Sequence, residues 1–123
     1  CPFHDNCLEG LIAGPGVKKR WDGKSAGDMA DDPEAMDLLA GYLAQALMTY
    51  TLCYAPQKII IGGGVAKAKT LLFQPLQEIM KTQLAAPLVE HLEILPAQFG
   101  TEAGILGSAH LALNTHFGET FRA

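Results

Sequence analysis

The sequence predicts a helix-rich α/β architecture with one short pair of parallel strands. Three observations carry that prediction. A long stretch without charge has helical periodicity, a β-branched run ends in three glycines, and a second short apolar run is closed by proline. Each of the two apolar runs precedes a helical stretch. Strand, helix, strand, helix is the βαβ order, which pairs strands in parallel through a right-handed crossover. Two strands do not make a stable parallel sheet by themselves, so partner strands are expected upstream of Cys1.

The elements follow in order. A first helix after Cys7 is expected to break at Gly14-Pro15-Gly16, and a second short helix carries Lys18, Lys19 and Arg20. Three basic residues near a helix end read as a solvated face that complements the dipole, with phosphate contact as the alternative. Asp22 to Asp32 reads as a loop. Pro33 then suits a first helical position, after Asp32 as N-cap, and the helix is predicted to run to about Tyr54 and stop before Pro56. Leu39, Leu43, Leu47, Tyr50 and Tyr54 recur at three- and four-residue steps as one apolar stripe. Leu38 to Gln57 holds no charge, but Gln45, Thr49, Thr51, Gly41 and the tyrosines favour a buried helix over a membrane span. Cys53 is expected as a core thiol. Lys58-Ile59-Ile60-Ile61 reads as a buried strand entering a turn at Gly62-Gly63-Gly64. A helix is predicted over about Lys69 to Leu84, a strand over Leu92 to Leu95, and a last helix from about Thr101 to His116. The small residues Gly100, Ala103, Gly104, Gly107 and Ala109 suit close helix packing.

Composition narrows the classes. The chain of 123 residues is 49% hydrophobic and 18% charged, which excludes a disordered acidic tail and caps the chain at one domain. A net charge of -4 argues against a general nucleic-acid binder. Three cysteines do not make a disulfide framework; they suit a reducing cytoplasm, where clustered Cys and His more often hold metal. The opening Cys1-Pro2 reads as part of something longer.

Three groups of residues carry candidate chemistry. Cys1, His4 and Cys7 stand at intervals of three. Structural zinc takes four thiolate or imidazole ligands, so a fourth would come from upstream; free thiols or a small-loop disulfide are the alternatives. Glu9, just after this turn, can accept hydrogen bonds from a polyol, or simply favour a helix N-terminus. The glycine run lets backbone approach a ligand closely. It does not fit the dinucleotide fingerprint, because position 67 is Lys67, and it nearly fits the phosphate-binding loop, where Ala68 stands before Lys69-Thr70 in place of glycine. A plain strand-to-helix turn is the other reading. His91, His110 and His116 have no partner at a telling spacing and receive no catalytic role.

Taken in order, Cys-Pro-Phe-His…Cys-Leu-Glu-Gly-Leu, Ala13-Gly14-Pro15, Gly62-Gly63-Gly64-Val65-Ala66 and Glu102-Ala103-Gly104-Ile105-Leu106-Gly107-Ser108-Ala109 resemble the C-terminal part of the ROK (repressor, open reading frame, kinase) sugar kinases. The Cys-Pro-aromatic-His form is similar to the bacterial fructokinase branch. The resemblance implies the C-terminal lobe of an actin-like, ribonuclease H-like ATPase fold. It implies structural zinc on Cys1, His4 and Cys7, a sugar-hydroxyl ligand at Glu9, and an ATP pocket lined by Pro15, Gly62, Gly63, Gly64, Val65 and Ala66. On this resemblance residues 1–21 carry the zinc and sugar motif, and 33–116 the nucleotide-side helices and βαβ unit. The implied activity of the parent is transfer of the ATP γ-phosphoryl group to the 6-hydroxyl of fructose with Mg²⁺, in a cytoplasmic homodimer. The general-base aspartate matches no residue here, so the piece alone is expected to be inactive. The two turns are expected to face one cleft. A kinase for glucose or mannose, a sugar-sensing repressor of the same family, and a small zinc-stabilised interaction module are the rival readings.

Overall fold

The computed structural model describes residues 3–4, 6–68 and 70–117. Its order is α1 (Leu8–Ile12), α2 (Gly14–Arg20), α3 (Pro33–Tyr54), β1 (Lys58–Ile61), α4 (Thr70–Gln83), α5 (Ala86–Val89), β2 (Glu93–Pro96) and α6 (Ala103–Phe117). Short 3₁₀ turns at Val65–Ala68 and Gly100–Glu102 precede α4 and α6.

The long helix has the ends its sequence requires. The Asp32 carboxylate accepts from the Ala35 N–H at 3.1 Å, and Pro33 sits where a missing N–H costs nothing. Ala55 turns left-handed (φ 43°) and donates to the Thr51 carbonyl at 2.8 Å before Pro56. Met36, Leu39, Leu43 and Leu47 are buried along one face and form one core with Leu72, Phe73, Leu76 and Met80 of α4. Beyond Leu47 that face continues to Thr51, not to the tyrosines. Tyr50 and Tyr54 are exposed, which leaves their hydroxyls to water. Cys53 is also exposed rather than in the core. It lies two residues past Thr51, about 200° around the helix at 3.6 residues per turn.

β1 and β2 pair in parallel, Lys58 opposite Glu93 and Ile61 opposite Pro96. The ladder is extended by the Glu93 N–H to the Gln57 carbonyl and the Ala97 N–H to the Ile61 carbonyl. Only one face of this pair is covered. Ile59, Ile61 and Ile94 pack on the core, whereas Ile60 is 68% exposed. The fully buried strand expected for the isoleucine run is therefore half covered, because alternation sends Ile60 to the face opposite α4. The short helix α5 between α4 and β2 was not expected, although Pro87 stands in its first turn. In α6, Ile105, Leu106, Leu111 and Leu113 are exposed, and a methyl group added at Gly104 or Gly107 would meet nothing within 4 Å. The close packing expected of those small residues is not made among the described residues. Among the described residues, no helix is long and apolar enough to cross a membrane.

The break between the first two helices falls at Ala13, extended at φ −73° and ψ 155°, rather than within Gly14-Pro15-Gly16. Those three residues instead open α2, where proline is tolerated in the first turn. Gly16 lies against Gly10 of α1. A Cβ there would collide with the Gly10 carbonyl, which is main chain and cannot swing aside. Gly16→Ala is expected to destabilise the protein by about 1–3 kcal/mol, the scale of overpacking. Urea unfolding of the full-length protein measures this, and an unchanged midpoint would refute the close-approach account.

Asp22 to Asp32 is more ordered than a plain loop, because Ala26 and Met29 are buried in the core. Asp28 accepts from the Ser25 hydroxyl at 2.7 Å and the Ser25 N–H at 2.8 Å, and Ser25 Oγ accepts from the Asp28 N–H at 3.3 Å. The hydroxyl bond first, then the amide, holds the Asp28 carboxyl below its ordinary 3.8, with help from the charges of Lys18 and Lys24 against a small desolvation cost. A depressed folded-state value gives stability that is present above the unfolded value and lost as pH falls through the folded one. Asp28→Asn should lower the melting temperature near pH 7, and the gap to wild type should close as pH drops below 3.8. A gap independent of pH would refute the account.

Candidate functional site

The first turn is built on the start of α1. Cys7 is the N-cap residue, and its Sγ accepts from the Gly10 N–H at 3.5 Å while approaching the His4 carbonyl at 3.7 Å. The Gly10 N–H above all holds the thiol below its ordinary value of 9.0. Desolvation opposes it, whereas a hydrogen bond and charge from the His4 side chain and the Glu9 N–H reinforce it. Cys7 is a free thiol. A thiol biased toward thiolate, with an imidazole beside it, is a donor pair that zinc accepts. Cys1, the third expected ligand, lies outside the described residues. Among the described residues no group of three or more Cys, His, Asp or Glu is arranged to hold a metal. The donor chemistry at His4 and Cys7 thus fits zinc as half of a four-ligand set. Glu9 is exposed in the first turn of α1 and Pro15 is exposed at the start of α2.

The second region lies at the carboxyl ends of the two strands. Because the strands are parallel, the loops after β1 and β2 leave the sheet on the same edge, the usual place for ligands in open α/β sheets. Here they border a cavity of about 650 Å³, within the size range of small-molecule sites. Gly62, Gly63, Ala66 and Lys67 form one wall, Ala97, Gln98 and Gly100 another, and Phe73, Gln74 and Gln77 of α4 a third. Gly63 has φ 84°, which disfavours any residue with a Cβ and brings bare backbone to the cavity edge. Phe73, Ile94 and Leu95 offer apolar surface, while Gln74, Gln77, Gln98 and Lys67 offer amides and one ammonium. Such a mixture can take a flat ring and hydrogen-bond its polar edge.

Of the expected nucleotide-side residues, Gly62, Gly63 and Ala66 line this cavity. Gly64, Val65 and Pro15 are not among its walls, and neither are Cys7 and Glu9. The cavity itself therefore does not join the two turns. Ala68 is buried in the core, so its methyl group is a packing residue and not part of a phosphate cradle. Sequence reasoning missed the glutamines of α4. Gln74 and Gln77, three apart on a helix following the glycine run, were the available signal. It also passed over Ala97 and Gln98, although they follow β2 as the glycines follow β1.

The ROK family pattern matches residues 1–115. A relative from Bacillus subtilis (strain 168) is 41% identical over 118 residues, covering 91% of this chain and 39% of its own. A fructokinase of Pediococcus pentosaceus is 40% identical with the same coverage, and a fructokinase of Zymomonas mobilis is 34% identical over 92% of this chain and 38% of its own. The chain thus spans about 39% of the length of the curated relatives it matches. A crystal structure of a ROK family transcriptional regulator, a homolog of the E. coli MLC protein, superposes with a TM-score of 0.69 over 84% of this chain and 32% of that one, at 20% identity. That likeness speaks for the fold. With the parallel strand pair and its carboxyl-edge cavity in place, the match across nearly the whole length means that this chain belongs to the ROK family.

Proposed function

We propose that the chain is the C-terminal part of an ATP-dependent fructokinase with an actin-like ATPase fold, transferring the γ-phosphoryl group of ATP to the 6-hydroxyl of D-fructose. The supporting observation is the similarity, over 91% of the chain, to relatives named fructokinase at about 40% identity. The Cys-Pro-Phe-His motif followed by Glu9 is in line with it.

In this reading the chain supplies binding and orientation rather than the proton-transfer step. Glu9, exposed at the start of α1, accepts hydrogen bonds from sugar hydroxyls through its carboxyl oxygens and so orients the ring. The loop Gly62 to Ala66 presents backbone to the nucleotide, and the amides of α4 and the β2 loop hold its base edge. Mg²⁺ bound with ATP would supply charge neutralisation for the transferred phosphoryl group. Zinc would be held by Cys1, His4 and Cys7 with a fourth ligand from elsewhere in the full protein, and would fix the conformation of the turn ahead of Glu9. The opposite wall of the cleft, the general-base aspartate and the surface that joins sugar to nucleotide would come from the rest of the protein.

The full-length protein should phosphorylate fructose with a higher kcat/KM than glucose or mannose; equal or reversed values in a coupled assay would remove the fructokinase reading. Glu9→Gln should cost about 1.5–3 kcal/mol in kcat/KM for fructose, the scale of a hydrogen bond to a charged group, or roughly tenfold and more. Chelation of the full-length protein should lower its melting temperature and release zinc in proportion. Unchanged stability after metal removal would dismiss zinc while leaving the kinase reading to the fructose assay.

A further inference from the structure

We propose that Arg20 is a positioning residue for the sugar-side turn, locking α1 against α3 so that Glu9 is held in place; this rests on the reading of Glu9 given above. Arg20 is the last residue of α2. Its Nη1 donates to the Leu11 carbonyl at 2.9 Å, one of the carbonyls that the end of α1 leaves without a helical partner. The same guanidinium lies 5.2 Å from the centroid of the Trp21 ring and 5.3 Å from that of Tyr42, within cation–π range of both. Tyr42 belongs to α3, whose Met36, Leu39, Leu43 and Leu47 are buried in the core.

One side chain thus ties together α1, the α2 end and α3. A five-residue helix has little stability of its own. The position of α1 therefore depends on its contacts, which include direct packing on α3, the close approach of Gly16 to Gly10 and the Arg20 bond at its carboxyl end. Glu9 lies two residues before Leu11, so a shift of α1 moves Glu9 with it. A planar guanidinium meets all three demands at once: one N–H directed at a carbonyl and a flat cationic face for two rings. Arg20 is exposed, as Lys18 and Lys19 are, and still makes this directed bond to the Leu11 carbonyl.

The test uses the full-length protein. Arg20→Ala should raise KM for fructose about tenfold or more, the scale of losing one charge-assisted hydrogen bond, while leaving KM for ATP unchanged. Hydrogen exchange of the α1 amides should accelerate while that of the α4 amides does not. Arg20→Lys, which keeps a cation and one donor, should recover part of the loss. Tyr42→Leu, which removes one ring and keeps the bulk, should shift fructose KM in the same direction by less, and it serves if Arg20→Ala does not fold. Asp32→Ala, which removes the α3 N-cap, should lower stability without moving fructose KM. An unchanged fructose KM in Arg20→Ala and Tyr42→Leu, or an equal rise in KM for ATP, overturns the proposal. If Glu9→Gln leaves fructose use intact, the sugar reading fails instead, and the exchange of the α1 amides alone decides whether Arg20 locks the helix.

Discussion

Leu72, Leu76 and Met80 of α4 are buried in the same core as Leu39, Leu43 and Leu47 of α3, and both candidate regions hang from that contact. α3 supports the amino-terminal turn through Tyr42, which meets the Arg20 guanidinium. α4 supports the sheet and forms one wall of the cavity with Phe73, Gln74 and Gln77. Most of the fully buried large side chains lie on these two helices. Burying each such side chain is worth about 1.5–3 kcal/mol. The outlying pieces are too short to hold themselves. Helix α1 has five residues and each strand four, and elements of that size are stable only when packed.

Much of this architecture was legible, and the legible parts share a cause. α3 was readable to the residue because its limits are set by local chemistry: an Asp N-cap, a proline at the first position, and a proline past the end. β1 was equally clear, since four residues rich in isoleucine run into glycines. The βαβ order gave the parallel pairing, which the register confirms. β2 lies one residue later than expected, because Pro96, needing no N–H, closes the ladder opposite Ile61 instead of ending it. The family was legible from motifs in order along the chain, and the match over residues 1–115 bears that out.

The errors also share a cause. Burial is a property of neighbours, and a sequence states only which side chains are apolar. Tyr50, Tyr54 and Cys53 looked like core and are exposed; Ala26 and Met29 looked like loop and are core. Ile60 and several apolar residues of α6, among them Ile105 and Leu111, are exposed among the described residues. The chain spans about 39% of the length of the curated relatives it matches. The glutamines of the cavity were missed for a related reason. Nothing in Gln74 and Gln77 marks them until β2 places Ile94 and Leu95 beside them.

The two turns proposed to carry the chemistry are held in different ways, and this bears on how such a site would work. The glycine turn is fixed by the sheet: Gly63 takes its positive φ at the end of β1, and the Ala97 N–H bonds to the Ile61 carbonyl at the same edge. Its geometry follows from a ladder of main-chain bonds. The turn ahead of Glu9 has no such ladder. It depends on side chains, with Cys7 capping α1, Arg20 closing its far end and glycine at position 16 allowing contact with α2. A site held by side chains can be tuned one residue at a time, whereas one held by a sheet edge changes only with the fold. Differences in sugar use among proteins with this architecture should therefore trace to the α1–α2 corner and its supports before they trace to the strand pair.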